Sequence, residues 1–124
     1  MNAILEKPSL ARDEALRDQL RRAADSIVSN IAEGFPQPTD RLFAKHLYVS
    51  KGSTAEVRAQ LELARRRHYI TAEEQQEPDS LADELARMLT GLIKHLLREQ
   101  RRDRGLGRTS HNSGNPGRTR GNSC

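Results

Sequence analysis

The chain has 124 residues, the size of one small domain, and its composition excludes several fold classes. Charged residues make up 31% and aromatic residues 3%, with no Trp. A β-sandwich or barrel needs more aromatic and β-branched side chains than this to cover its faces. The abundant Leu, Ala, Arg, Glu and Gln keep most of their rotamer freedom in a helix. The composition therefore predicts an all-helical protein.

The net charge of +4 is distributed unevenly along the chain. Residues 1–97 carry 14 Lys and Arg against 15 Asp and Glu, a balance of −1. Residues 98–124 carry 7 Arg against 2 acidic residues, a balance of +5. Because phosphate binding depends on clustered cations, any electrostatic attraction to nucleic acid is expected to depend mainly on the C-terminal end.

Cysteine usage and hydropathy indicate the compartment. The single cysteine, Cys124, excludes a disulfide within the chain. No N-terminal stretch has the basic and then apolar pattern of a signal peptide, and no apolar run approaches the length that spans a membrane. We therefore expect a cytoplasmic protein without a membrane partner.

The first predicted elements are a lead-in loop over residues 1–12 and a helix from about Asp13 to Glu33. Asp13 is a suitable N-cap, and Gly34 followed by two prolines is a suitable stop. Between them apolar residues recur at steps of three and four, which is the period of an amphipathic helix. This seam comprises Leu16, Leu20, Ala23, Ile27 and Ile31.

A second helix is predicted from Thr39 or Asp40 to about Arg67. Its seam comprises Leu42, Phe43, Leu47, Val57, Leu61 and Ala64. Gly52 interrupts this pattern, and a glycine inside a helix costs about 1 kcal/mol relative to alanine. We interpret Gly52 as a point where another backbone approaches closely.

A third helix follows a turn at residues 68–70. Thr71 to Glu74 has the pattern of a capping box, and Pro78 predicts either a kink or a fresh start at Asp79. The predicted seam comprises Leu81, Leu85, Met88, Leu89, Leu92 and Leu96, and the helix is expected to end near Arg102. Residues 103–124 are rich in Gly, Arg, Ser and Asn and are predicted to be disordered.

These elements predict an all-α, antiparallel up-and-down bundle of three long helices over residues 13–102. Its apolar residues are few for a lone monomer, because small domains bury a smaller fraction of their surface. We therefore expect a homo-oligomer.

Polar residues form a second pattern beside the apolar seams. Ser26, Asn30 and Glu33 on the first helix, and Ser53, Glu56 and Gln60 on the second, recur at steps of three and four. One interpretation is a polar stripe that hydrogen-bonds between helices or subunits. The alternative is an acid/base pair or metal site at Glu33 and Glu56. Carboxylate metal sites in bundles usually include a Glu-x-x-His motif, which this sequence lacks, so the structural interpretation is favoured.

Other catalytic and cofactor motifs are absent from the sequence. The four histidines are too widely spaced for local metal ligation, and no phosphate-binding glycine loop or nucleophile elbow is present. We predict no catalytic, metal or cofactor-binding residues, no small-molecule substrate and no enzymatic activity.

Two arginine clusters are candidates for nucleic-acid contact. The first is Arg65, Arg66 and Arg67, and the second is Arg98, Arg101, Arg102 and Arg104. Phosphate contact by such clusters would be independent of base sequence and sensitive to salt. The alternative is a solvated helix end whose cations complement the helix dipole, and this interpretation is favoured.

Three stretches resemble a known family. Gln19 to Gly34 (QLRRAADSIVSNIAEG) closely resembles the signature of the bacterial four-helix-bundle family of 23S ribosomal RNA intervening-sequence proteins. Gly52 to Glu56, continuing through Gln60, Leu61 and Ala64 to Tyr69 and Ile70, resembles the next helix of that family. Met88 to Ile93 resembles its last helix. The resemblance extends from about Leu16 to Leu97.

The resemblance implies an antiparallel bundle that associates as a homopentamer. The accessory proteins of diversity-generating retroelements share this fold and bind nucleic acid through a basic surface. The resemblance therefore implies nucleic-acid binding as an alternative role. Family members begin with a further helix before the segment that corresponds to residues 5–13 here, so one of the four helices is expected to be missing. We therefore predict a self-assembling, non-enzymatic protein, with an RNA- or DNA-binding accessory factor as the alternative.

Overall fold

The computed structural model describes the backbone of residues 1–107 and the side chains of residue 1 and residues 3–102. This part of the chain forms five α-helices and no strand. They are α1 (Asn2–Leu5), α2 (Pro8–Ala11), α3 (Glu14–Gly34), α4 (Asp40–Arg66) and α5 (Ala72–Gly107). The all-α class and the three long helices predicted from the sequence are confirmed.

Side-chain caps begin each long helix. The Asp13 carboxylate accepts a hydrogen bond of 3.2 Å from the third backbone N–H that follows it, at the start of α3. The Thr39 hydroxyl does the same for α4, at 3.1 Å. At α5, the Thr71 N–H donates to Glu74 Oε1 and the Glu74 N–H donates to Thr71 Oγ1, so the predicted capping box is formed.

The long helices run up, down and up, with α4 in the middle. Ser26 of α3 bonds Ser53 of α4, and Arg58 of α4 bonds Asp79 of α5. Helix α4 packs along both of its neighbours, whereas α3 and α5 make few direct contacts with each other. A bundle of this kind leaves a groove between α3 and α5, on the side away from α4.

The core divides into two clusters along the bundle. One joins α3 to the C-terminal half of α4 through side chains that include Leu20, Val57 and Leu61. The other joins the N-terminal half of α4 to the C-terminal half of α5, through side chains that include Phe43 and Ile93. Leu16, Leu20, Ala23 and Ile27 are buried, as the seam of α3 predicted.

The lead-in over residues 1–12 is not the loop that the sequence predicted. It forms α1 and α2, and it buries Ile4, Leu5 and the fully enclosed Leu10 in the core. Burial of these apolar side chains offsets the entropy lost when the segment becomes ordered. The sequence did not indicate this burial, because helices of four residues are too short to show a periodic apolar pattern.

The third long helix has no fresh start at Asp79, one of the two forms predicted for it, and it is longer than predicted. Pro78 lies inside an uninterrupted α5, and the helix continues to Gly107, beyond the expected end at Arg102. Proline removes one backbone N–H donor, a loss that the packing of the rest of the helix outweighs. Residues 103–107 of the predicted tail are helical, and residues 108–124, for which disorder was also predicted, lie outside the described part of the chain.

The close approach predicted at Gly52 is wrong within the chain. A Cβ atom added to Gly52 would meet no heavy atom within 4 Å. The tight contact is at Gly34 instead, where an added Cβ would lie 2.8 Å from His46 Cβ and 2.8 Å from Phe43 Cδ1. The glycine that ends α3 therefore allows α3 and α4 to approach each other.

The predicted seams of α4 and α5 are only partly buried. Leu42, Leu81, Met88 and Leu92 are exposed, whereas α5 packs through Ala82, Leu89, Ile93 and Leu96. Helix α5 has two adjacent apolar stripes but only one long neighbour, α4. Helix α4 covers the stripe of Ala82, Leu89, Ile93 and Leu96, and the stripe that includes Leu81, Met88 and Leu92 is left uncovered. The second stripe faces solvent.

Candidate functional site

The groove between α3 and α5 begins at the lead-in. The Arg17 guanidinium of α3 donates a hydrogen bond of 2.7 Å to the Leu5 carbonyl oxygen, and the Lys7 ammonium lies 2.6 Å from the Glu74 carboxylate of α5. These two contacts identify which flank of each long helix faces the groove. The lead-in therefore closes one end of it.

Beyond the lead-in, both walls of the groove are apolar. At helical spacing, the α3 flank of Arg17 continues through Val28 to Phe35, which directly follows α3 and packs edge-on against the Phe43 ring at 6.1 Å. The α5 flank of Glu74 continues through four apolar side chains. These are Leu81, Leu85, Met88 and Leu92. We refer to these six apolar residues as the groove residues.

Five of the six groove residues are exposed, and Leu85 is partly buried. The exposed fractions are 67% for Val28, 50% for Phe35, 58% for Leu81, 64% for Met88 and 38% for Leu92. Exposed apolar side chains grouped in this way make the groove a candidate contact surface.

A second apolar surface lies on the N-terminal half of α4. Leu42, Tyr48 and Val49 are all exposed there. Sequence reasoning assigned Leu42 to the buried seam and did not identify Tyr48 or Val49. We refer to these three residues as the α4 patch.

The structure joins three of the six residues of the predicted polar stripe. The Ser26 hydroxyl accepts a hydrogen bond of 3.1 Å from the Asn30 amide and one of 2.8 Å from the Ser53 hydroxyl. His46 Nδ1 lies 3.4 Å from Asn30 Oδ1, and the buried Ser50 hydroxyl donates to the Ile27 carbonyl oxygen at 2.9 Å. Sequence reasoning missed these last two partners, although Ser50 lies three residues before Ser53, one helical step along α4.

The other three members of the stripe do not join this chain of hydrogen bonds. Glu33 and Glu56 are exposed, and Gln60 lines a shallow depression beside Glu56 and Arg22. The Gln60 Oε1 atom is buried without a hydrogen-bond partner among the described residues. Over the same part of the chain, no group of three or more His, Cys, Asp and Glu residues could hold a metal ion.

The first arginine cluster is paired with carboxylates. Arg65 and Arg66 bond the Glu62 carboxylate at 2.7 and 2.9 Å, and Arg67 bonds Asp13 at 2.7 Å. Hydrogen bonds from Arg65, Gln75 and Arg66 lower the pKa of Glu62 to about 2. The charge of this cluster is largely compensated within the chain.

The second cluster lies where α5 extends past the bundle. Helices α4 and α5 are antiparallel, and their register is given by the pairs Arg58–Asp79 and Glu62–Gln75. The same register, continued along both helices, places Asp40, the first residue of α4, opposite Leu97 of α5. Residues 98–107 therefore extend about 15 Å beyond α4, at 1.5 Å per helical residue. We refer to residues 98–107 as the overhang.

The overhang carries exposed cations. Arg98, Arg101 and Arg102 are exposed, and Arg102 pairs with Glu99 at 3.1 Å. Among the described side chains, Arg98 and Arg101 have no acidic partner. The backbone places Arg104 on the same helix, and its side chain lies outside the described set.

A cleft beside the lead-in also contains cations. It is lined by side chains that include Lys7, Arg65, His68 and Glu74. Lys7 is paired with Glu74, and the capping box engages the N–H groups of Thr71 and Glu74. This cleft therefore offers little to an anion.

Comparison with known proteins identifies the family. The family model described as 23S rRNA-intervening sequence protein matches residues 2–91. No curated protein and no solved structure matches the chain. In the described residues, no helix is long and apolar enough to cross a membrane. The match includes the lead-in, α3, α4 and the first part of α5, and the chain belongs to the family of 23S rRNA-intervening sequence proteins.

Proposed function

We propose that this chain is a non-catalytic protein that assembles with copies of itself, and that the groove is a contact surface in the assembly. The observation that carries this proposal is the exposure of five large apolar side chains along the two walls of one groove. Burial of apolar surface is the main favourable contribution to protein association.

The distribution of polar groups supports a structural role. The Ser26, Asn30 and Ser53 side chains are engaged with one another, and the first arginine cluster is engaged with Glu62 and Asp13. A catalytic site needs a nucleophile or base whose reacting atom is directed into a cleft. The side chains named above are instead engaged in contacts within and between helices.

The test is the size of the full chain in solution, measured by sedimentation velocity over a range of concentrations. We expect oligomers, with the homopentamer implied by the family resemblance as one specific outcome. Met88→Glu should shift the chain toward smaller species, because a charge would enter the apolar groove. Ala55→Glu is the matched control, since Ala55 is exposed on α4 and lies outside both the groove and the α4 patch. A chain that sediments as a monomer at every concentration would overturn the proposal.

The overhang favours nucleic-acid binding as a second candidate function. Arg98 and Arg101 project from a helix end that no other described element covers, and residues 98–124 carry a net +5. Such a surface would bind phosphates with little preference for base sequence.

Truncation after Leu97 tests this second candidate. Binding of a single-stranded RNA oligonucleotide should fall steeply with added salt, and the truncated chain should lose most of it. The matched control is Arg66→Ala in the full chain, which should bind as the parent does because Arg66 is already paired with Glu62. Equal binding by the truncated and full chains would exclude the overhang as the site.

A further inference from the structure

We infer that the outer surface of α4 and α5 binds single-stranded nucleic acid, with cations that contact the phosphates and the Tyr48 ring stacked on a base. This inference rests on the second candidate function, and it names the class of nucleic acid and the residues of the folded bundle that bind it. Three features support it: unpaired cations on two neighbouring helices, the scarcity of acids around them and the exposed Tyr48 ring.

A cluster of ion pairs shows which flanks of α4 and α5 lie together on the outside of the bundle. Asp83 of α5 bonds both Arg58 of α4, at 3.1 Å, and Arg87 of its own helix. At helical spacing, the flank of Arg58 continues through Lys51 and Tyr48 toward the start of α4. The flank of Arg87 continues toward the end of α5, on the side of that helix away from the groove residues.

Six cations lie along these two flanks, and none of them has an acidic partner among the described side chains. Five are exposed and one, Lys51, is partly buried. We refer to the six as the basic face, and they are Arg41, Lys45 and Lys51 of α4 and Lys94, Arg98 and Arg101 of α5.

The register of the two helices brings the two rows of cations side by side. In this register Lys94 lies at a level between Arg41 and Lys45. From the level of Lys51 to Arg101 the basic face extends over about 22 Å, at 1.5 Å per helical residue. An elongated array of cations suits a linear polyanion, whose phosphates follow one another along a strand.

Acidic side chains are scarce around the basic face. Residues 41–55 of α4 contain no Asp or Glu, and the preceding Asp40 is buried. Residues 85–102 of α5 contain only Glu99, which pairs with Arg102. Arg41 lies in the first turn of α4, where the helix dipole favours acids over cations. The dipole therefore does not account for the cations of α4, whereas binding of an anion does.

Tyr48 of the α4 patch provides an aromatic ring within the basic face. It lies three residues from Lys45 and three from Lys51, and its exposed fraction is 54%. It makes no ring contact and no hydrogen bond with the described residues. The other aromatic side chains are engaged within the bundle, and they are Phe35, Phe43 and Tyr69. The Tyr48 ring is therefore free to stack on a base.

This combination favours a single strand over a duplex. The bases of a duplex are stacked on one another, so that a ring on the protein surface has no base face to contact. The bases of a single strand stack on aromatic side chains while the phosphates contact cations beside them. Because neither contact recognises base identity, we expect little preference for sequence.

Variants of Tyr48 in the full chain test the stacking. Tyr48→Ala should weaken binding of a single-stranded RNA oligonucleotide by about tenfold. Its salt dependence should be unchanged, because the lost contact carries no charge. Tyr48→Phe keeps the ring and should bind as the parent does. The same strand annealed to its complement should bind equally to Tyr48→Ala and to the parent, and equal weakening on both substrates would overturn the stacking contact.

Variants of the cations test the phosphate contacts. Lys45→Ala and Lys94→Ala should each reduce the slope of log K against log salt by about 0.7, because each removes one phosphate contact to a single strand. Arg22→Ala is the matched control, since Arg22 is an exposed cation of α3 outside the basic face. Fluorescence anisotropy over a range of salt concentrations gives the dissociation constants.

The outcomes separate this inference from the second candidate function. Weaker binding by Tyr48→Ala, recovery by Tyr48→Phe and lower salt slopes for both lysine variants support the site. If the full chain binds RNA but Tyr48→Ala or the lysine variants bind as the parent does, this site is wrong while binding by the overhang stands. A full chain that binds no RNA overturns both, and binding to vesicles of anionic phospholipid instead would identify a membrane-binding surface. If Tyr48→Ala changes the sedimentation of the chain and not its RNA binding, Tyr48 is an assembly contact and the inference is wrong.

Discussion

The Glu62 carboxylate accepts hydrogen bonds from three side chains. Glu62 lies on α4, and the donors are Arg65 and Arg66 of the same helix and the Gln75 amide of α5. Glu62 therefore holds the basic end of α4 against the acidic start of α5. This role could not be predicted from the sequence, because Gln75 is thirteen residues away and is brought near by the turn between the helices.

The lowered pKa of Glu62 predicts a specific loss of stability in acid. Its pKa falls from the ordinary 4.5 to about 2, because Arg65, Gln75 and Arg66 hydrogen-bond the ionised form. A carboxyl whose pKa is lower in the folded state stabilises that state above its unfolded pKa. This stabilisation is lost as the pH falls from about 4.5 through about 2.

The Glu62→Gln variant tests this pH dependence. It should be less stable than the parent at pH 7 and should lose less stability than the parent between pH 4.5 and 2. Urea unfolding at a series of pH values measures both effects. Glu56→Gln is the control, since Glu56 is an exposed glutamate on the same helix. Parallel pH profiles for the parent and Glu62→Gln would contradict the assignment.

The polar stripe separates into a bonded and a solvated part, and the two parts should respond differently to mutation. Asn30→Ala should lower the free energy of unfolding by about 1 kcal/mol, because it removes the partner of Ser26 and His46. Glu56→Ala should change it by less than about 0.5 kcal/mol, since Glu56 is exposed. Chemical unfolding of both variants is the measurement. Equal losses would mean that Glu56 has a partner in the assembly.

At the scale of helices, the two glycines of the α3–α4 pair have opposite environments. Gly34 lies against Phe43 and His46, whereas Gly52 faces open space. A glycine in a helix lowers stability unless a close contact requires it. The structure therefore assigns a packing role to Gly34 and none to Gly52 within the chain.

Alanine substitution at the two glycines tests this difference. Gly52→Ala should raise the free energy of unfolding by about 0.5–1 kcal/mol, because alanine favours the helix. Gly34→Ala should lower it by about 1–3 kcal/mol, since the new methyl group would overlap with the Phe43 ring and the His46 Cβ. Thermal and urea unfolding provide the comparison. Destabilisation by Gly52→Ala would indicate that a second copy contacts this position.

At the scale of the whole molecule, the lead-in fills only one end of the groove. Leu5 and Leu10 are buried at that end, whereas Val28, Met88 and Leu92 are exposed farther along. The remaining length is open to a helix of this chain, of a second copy or of another protein. Of these, the sequence resemblance implies a helix that precedes the lead-in.

A helix added in front of Met1 tests whether the groove accepts a fourth helix from the same chain. An amphipathic helix that fills the groove should raise the melting temperature and reduce self-association together, because it would bury the exposed residues within one subunit. A helix of the same composition with its apolar residues scattered around the axis is the control. Thermal melts and sedimentation measure the two effects. If the two fusions behave alike, the groove does not bind the added helix.

Local sequence signals were sufficient to define the features that depend on neighbouring residues. The periodicity of Leu16 to Ile31, the caps at Asp13, Thr39 and Thr71, and the short connections predicted three antiparallel helices. Because these signals act within a few residues, they can be interpreted without knowledge of the rest of the chain.

The packing of the helices, in contrast, determined which surfaces are buried and which charges are free. The sequence placed Leu81, Met88 and Leu92 in the core, but α5 has one long neighbour and two apolar stripes, so one stripe remains exposed. The sequence treated Arg65 and Arg98 alike, yet the fold pairs Arg65 with a carboxylate and leaves Arg98 exposed on the overhang. Burial and ion pairing depend on residues that are distant in sequence, and it is the arrangement of the helices around α4 that brings those residues together.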